Sequence, residues 1–325
     1  MELVSRAMPA AQTAGADAGE SGGWRARFAS WWDGAGRSQE SQRLTKRLLR
    51  PQLPAAAISE ADRERIMRIE APQLVWGAGH SGPGNPAFYE KLLSSAAVEP
   101  GHDMVLVGAG LGGAARDLRR RFDISVTGLE ASEAVVEKAG ELNAEADMAD
   151  KVSVRAFNPE ALKLKARSTD VVLVEPLLFS VQNKLELLRE LDLSLRGAAQ
   201  IVMLDFVLGG ITDANKEDWN HWTEHERPQP KVRTMGEQKT LIRDARLKLR
   251  QANDITAIYN RMIVKAWARC LDQVEAKSKS DQANDPVLRG VAELAEFWAR
   301  RAALMEMGAL KVVRFQLGRA KFGGK

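Results

Sequence analysis

Short, nearly unbroken apolar runs alternate along this chain with longer stretches in which apolar residues return every three or four positions. The runs at 105–107, 124–129, 152–156, 170–174 and 199–204 read as strands, and the stretches at 114–122, 132–143 and 184–195 as helices. A strand apolar throughout is one covered on both faces. The alternation therefore predicts an α/β architecture, a mainly parallel sheet with helices on both faces. Upstream, Ser59 with Asp62 three residues later marks a helix start, 76–86 holds too many Gly and Pro for regular structure, and 87–97 reads as a helix. Downstream of Asp205 the rhythm changes to a polar segment (209–229), a helix (235–245), a short strand (247–250), a long helix (255–275), a charged stretch (277–285), a second long helix (286–305) and a last strand (311–317). That order places a helical insertion at about 252–308, before the last strand.

The strand ends are polar in a consistent way. The first runs into Gly108, Gly110, Gly112 and Gly113; the next four end near Glu130, Asn158, Glu175 and Asp205. In a Rossmann-like sheet ligands bind at the carboxyl ends of the strands, so these residues should collect along one edge. A glycine turn feeding a helix presents backbone N–H groups and a positive helix end, which suits a nucleotide or nucleotide-like cofactor. Glu130 stands where a ribose diol would lie, and a carboxylate there can accept from both hydroxyls, each charge-assisted bond contributing about 1.5–3 kcal/mol.

Composition narrows the partners. The 325 residues carry a net charge of +4, unevenly spread: 1–23 hold −2, 24–50 hold +5 and the remainder only +1. A near-neutral body argues against nucleic acid as a partner. Residues 1–23 are small and polar and read as disordered; 24–50 form a basic aromatic arm in which a helix would align Trp24, Phe28, Trp31 and Trp32. Such an arm suits an anionic membrane surface or a protein groove, or packing on the body itself. Without a leader or an apolar span, and with the single Cys270, the expected compartment is cytoplasmic. His221-Trp-Thr-Glu224-His225 matches a zinc pattern, but its polar setting favours a solvated helix with Trp219 and Trp222 turned inward, and no metal is expected.

The glycine pattern alone also fits flavin or nicotinamide proteins. Against them stand its position more than 100 residues into the chain and the helix that follows, Arg116-Asp117-Leu-Arg119-Arg120-Arg121, which reads as having a wet face. Val107-Gly-Ala-Gly-Leu-Gly-Gly113, followed by Val126-Thr-Gly-Leu-Glu130-Ala-Ser132, resembles the class I S-adenosylmethionine-dependent methyltransferases. Trp76 to Gly84 resembles the lead-in of the small-molecule phosphoethanolamine and sarcosine type.

The resemblance, which covers roughly 66–318, implies S-adenosylmethionine as cofactor and methyl transfer to a small-molecule or lipid-like acceptor. Gly108, Gly110 and Gly112 would bracket the methionine part, Glu130 the ribose, and Asn158 the adenine amine. Glu175, followed by Pro176, lies where amino-methylating relatives carry an acid or amide and is the candidate catalytic residue; Trp76 and Asp205 are expected on the substrate side. One departure stands out: the acid usual two residues before the first glycine is Leu106 here. With the arm at 24–50 it raises an alternative, a catalytically degenerate fold serving as an interaction module.

Overall fold

The apolar runs pair side by side because each can bury both faces only inside a sheet. The computed structural model describes residues 59–278 and 286–320, so the expectations for 1–23 and for the arm at 24–50 lie outside the described residues. β1 (Asp103–Val107) lies between β2 (Ser125–Glu130) and β4 (Thr169–Val174), with β3 (Val152–Ala156) beyond β2 and β5 (Leu195–Leu208) beyond β4, all parallel. The full order is β3-β2-β1-β4-β5-β8-β7, with the two-residue β6 (Arg233–Thr234) beside the end of β5. β8 (Leu310–Arg319) runs antiparallel between β5 and β7 (Leu247–Asp254), which makes the sheet mixed but mainly parallel, as expected.

Alternation along β1 divides the core. Leu106 faces a layer that includes Leu173, Leu204, Leu92 and Trp298, while Val105 and Val107 face Val172, Met203, Leu188 and Leu241. The second layer is covered by α6 (Lys184–Ser194) and α8 (Met235–Asp244). The first lies under α2 (Ala71–Trp76), α3 (Pro86–Leu93), α4 (Gly113–Phe122) and the long pair α9 (Thr256–Ser278) and α10 (Pro286–Glu306), with α1 (Glu60–Arg65) and a π-helical segment (Ile66–Glu70) leading into α2. Two further helices, α5 (Glu133–Glu145) and α7 (Lys216–His225), complete the fold, and none of the described helices is long and apolar enough to cross a membrane.

Several elements depart from local expectation for tertiary reasons. β5 begins at Leu195, where it pairs Thr169 of β4, and extends to Leu208, and β7 extends to Asp254, because β8 pairs both past the apolar runs. Ser59 caps α1 through the Asp62 N–H as predicted, but the helical path then continues to Trp76. Pro72 has no N–H to donate, and the Ala71 N–H just before it reaches back five residues to the Ile66 carbonyl, widening the coil into a π turn. That turn brings Met67 and Arg68 to the rim of the cavity described next.

Candidate functional site

The site begins where β1 and β4 end side by side. After Val107 the chain turns through Gly108, Gly110 and Gly112 at φ +83°, +52° and +77° and enters α4. These are left-handed values that a Cβ disfavours, and at Gly110 a Cβ would stand 2.5 Å from Ser81 Oγ. Gly108 and Gly110 line a cavity of about 310 Å³. Gly112 instead caps α4, with Arg116, Asn143 and Val154 against its inner side, so it shapes the turn without facing the cavity.

Glu130 closes β2 and reaches the cavity wall from the other side of the turn. Its Oε2 accepts from the Gly110 N–H at 3.1 Å, while Oε1 accepts from the N–H groups of Ala131 and Ser132 at 2.8 and 3.0 Å. A carboxylate offers about four acceptor directions. Three are occupied, so Glu130 is first a clamp on the glycine turn and keeps room for about one hydroxyl rather than two.

The wet face expected for α4 is confined to its last turns, where Arg120 and Arg121 are exposed; the first turns are covered. Arg116 and Asp117 are 6% and 9% exposed, because the 77–85 loop folds down over them. Arg116 donates to the carbonyls of Leu111 and Gly79 and to Asn143 Oδ1. Asp117 Oδ2 lies 3.1 Å from His80 Nε2, and the Leu111 N–H donates to Ser81 Oγ. Arg116 and Asp117 therefore staple the lead-in loop to the glycine corner. At Gly113 a Cβ would stand 2.4 Å from the Gly79 carbonyl oxygen, a backbone atom. Gly113→Ala is expected to lift the loop and cost about 1–3 kcal/mol, measured as a lower urea midpoint and faster protease nicking within 77–85.

The far wall comes from residues distant in sequence. The chain has two tyrosines, and both face this cavity: Tyr89 from α3 and Tyr259 from α9, with Trp298 and Arg301 from α10. Between them sits Glu175, at the end of β4, where its N–H bonds the Val107 carbonyl. Burial raises the Glu175 carboxyl to about 7, opposed by hydrogen bonding to Tyr89 and by the His80 charge, and its Oε1 is buried with no hydrogen-bond partner. Both phenols are pushed up, mainly by burial and also by the Glu175 charge, so they stay neutral. Arg301 is itself buried and paired with Glu226, which also accepts from Trp222 Nε1, and its guanidinium lies 4.1 Å from the Phe297 ring centre. One buried acid surrounded by aromatic faces and neutral hydroxyls is an environment for a cation.

Other expected site residues lie elsewhere. Asp205 is 2% exposed and off the cavity wall: its oxygens accept from the Phe179 N–H at 2.8 Å and from Gln238 Nε2 at 2.9 Å, so it holds the connection after β4 in place. Burial raises it to about 7, against the pull of Lys184. Asn158 is exposed, and its Oδ1 accepts from the Glu160 N–H in a local turn. Trp76 is a core residue packed edge-on against Trp298 at 4.9 Å, one layer behind the wall. His221 and His225 stack at 4.2 Å on α7, with Trp222 buried beneath them.

Residues 105–203, which contain the glycine corner, Glu130 and Glu175, match the family model of a methyltransferase domain. No curated protein matches the chain in sequence. Among solved structures it is similar to Haemonchus contortus phosphoethanolamine N-methyltransferase 2, held with phosphomonomethylethanolamine and S-adenosylhomocysteine: TM-score 0.66 and 14% identity over 82% of this chain and 61% of that one. The chain thus spans about three fifths of that protein's length. The cyclopropane synthase MmaA2 of Mycobacterium tuberculosis gives TM-score 0.63 and 14% identity over 81% and 95% of the two chains. Geranyl diphosphate C-methyltransferase of Streptomyces coelicolor gives 0.52 and 15% over 91% and 97%. Residues 105–203 are therefore similar to a methyltransferase domain, and the chain shares the Rossmann-like fold of these solved structures.

Proposed function

We propose that this protein is an enzyme that transfers a methyl group from S-adenosylmethionine to a small acceptor, and that the accepting atom is an amine nitrogen held against Glu175. The observation that carries the reading is the orphaned, buried Oε1 of Glu175 in the same cavity as Gly108, Gly110 and Glu130. An uncompensated acceptor in a dry wall is costly to keep unless a ligand completes it.

The residues present fit the cofactor. Glu130 has an acceptor direction free, Gly108 leaves backbone open to the cavity, and Glu175 with the two phenols suits positive charge. Leu106 is 0% exposed between the sheet and its helices, so the acid usual at that place would be fully desolvated here. Glu175, from the adjacent strand, supplies the negative charge at this edge. The silent-scaffold alternative rests on Leu106 and on the arm at 24–50, which lies outside the described residues; a buried acid with one oxygen left without a partner beside the glycine corner supports catalysis over it.

S-adenosylmethionine would supply a methyl group activated by a sulfonium centre. Transfer forms the N–C bond, breaks the S–C bond, and, from a primary or secondary amine, leaves a proton to be lost from nitrogen. Glu175, with a pKa near 7, is poised to take that proton, and Tyr89 and Tyr259 to fix the amine as neutral hydrogen-bonding groups. The cavity walls position the reactants, and alignment of this kind is worth about 7–11 kcal/mol. The test is methyl transfer from labelled S-adenosylmethionine to a panel of primary, secondary and tertiary amines, with matched alcohols and carboxylic acids. Turnover confined to the alcohols or acids would remove the assignment of the nucleophile.

A second measurement follows from the raised pKa. A positive charge beside Glu175 favours its ionised form, and at pH 7 roughly half of the population is protonated. Binding of S-adenosylmethionine should then release up to about half a proton per site at pH 7 and little at pH 9, where the group is already ionised. Calorimetric enthalpies in phosphate and Tris should differ at pH 7 and converge at pH 9; equal enthalpies at pH 7 would speak against a cation at Glu175.

A further inference from the structure

Three arginines are buried among the described residues, and two have carboxylates at hand: Arg301 pairs with Glu226, and Arg116 feels Asp117 and Glu145. Arg314 does not. It sits in β8 at 7% exposure, its Nε donating to the Leu92 carbonyl and its Nη2 to Ser95 Oγ, each at 2.8 Å. Burial alone acts on its pKa, lowering it, and no neighbouring charge contributes. Neutral acceptors orient a guanidinium but do not balance its charge in a poorly solvated place.

Arg314 also opens onto a second cavity, of about 260 Å³, walled by α3, the start of α9 and the β7 edge. Lys91 adds a cation at its rim, Asn253 and Gln251 add amides, and Phe88, Leu92 and Ile258 make one side apolar. Asn253 is the cross-strand register partner of Arg314, so their side chains share a face.

We propose that this cavity is a ligand site distinct from the methyl-transfer site, and that it takes a small organic carboxylate, the charged end on Arg314 and the hydrocarbon body against Phe88, Leu92 and Ile258. The planar, two-pronged carboxylate matches the unused N–H directions of the guanidinium, and the cavity is fragment-sized. The apolar side favours such an acid over inorganic phosphate, which would leave that wall wet. Phe88 and Ile258 adjoin Tyr89 and Tyr259, so the occupant braces the two helices that carry the tyrosines of the main cavity.

The test is calorimetric titration of the full chain with benzoate at constant ionic strength, with chloride and inorganic phosphate as controls. Asn253→Asp places a carboxylate of the protein's own opposite Arg314. It should raise the melting temperature without ligand and weaken benzoate binding at least tenfold, while Lys91→Met weakens it by less. The wild type should bind benzoate saturably, with slower amide exchange in α3 and α9. Absence of saturable binding, benzoate affinity unchanged in Asn253→Asp, or equal stabilisation by chloride and phosphate would each overturn the site.

Discussion

Glu175→Gln is expected to lower kcat by at least about a hundredfold while leaving the fold intact, since a positioned acid or base contributes typically 10²–10⁴. The change preserves shape and removes only the charge and the titration. In the wild type kcat/KM should rise with pH through about 7 as Glu175 ionises; the variant should lose that limb. Stability moves the other way. The folded carboxyl has a pKa raised to about 7 from 4.5, so the fold favours the protonated form, and the stability this lends is lost as pH rises from about 4.5 to 7. A glutamine escapes that loss, so the variant should melt no lower than the wild type at pH 8. A variant with near-normal turnover and an unaltered pH profile would remove Glu175 from the chemistry.

Glu130→Ala should act on fold and cofactor together. It strips acceptors from the N–H groups of Gly110, Ala131 and Ser132 at the mouth of the cavity. Water can reach some of these groups, so the expected loss is about 2–4 kcal/mol of stability, read from urea unfolding. S-adenosylmethionine affinity, measured at a temperature where circular dichroism shows the variant folded, should fall about a hundredfold, from the lost ribose contact and from a glycine turn no longer held. Glu130→Gln keeps one acceptor oxygen and should recover part of both losses. Wild-type stability and affinity in Glu130→Ala would refute the clamp.

The half of the site built by consecutive strand ends was legible in the sequence. Gly108 and Gly110 are demanded by left-handed backbone at the corner, Glu130 by its place at the end of β2, and Glu175 by its place at the end of β4. The other half was not, because Tyr89, Tyr259, Trp298 and Arg301 meet only through the packing of α3, α9 and α10, far apart in sequence. The scarcity of tyrosine was the available clue: two in the chain, both on one cavity. Misreadings share one cause. Arg116 and Asp117 look solvated in any helical projection until the 77–85 loop covers them, and Asp205 accepts from groups distant in the chain while Asn158 caps its own turn, uses of a polar side chain that look the same in sequence as a binding role. Likewise β6 and the extensions of β5 and β7 owe their pairing to neighbouring strands rather than to their own apolar pattern.

The central claim is that the cavity between the glycine corner and Glu175 holds S-adenosylmethionine, and equilibrium dialysis of the full chain against the labelled compound tests it most directly. The account predicts saturable uptake of one molecule per chain, displaced by S-adenosylhomocysteine and greatly weakened by Glu130→Ala. No saturable uptake at millimolar S-adenosylmethionine would contradict it.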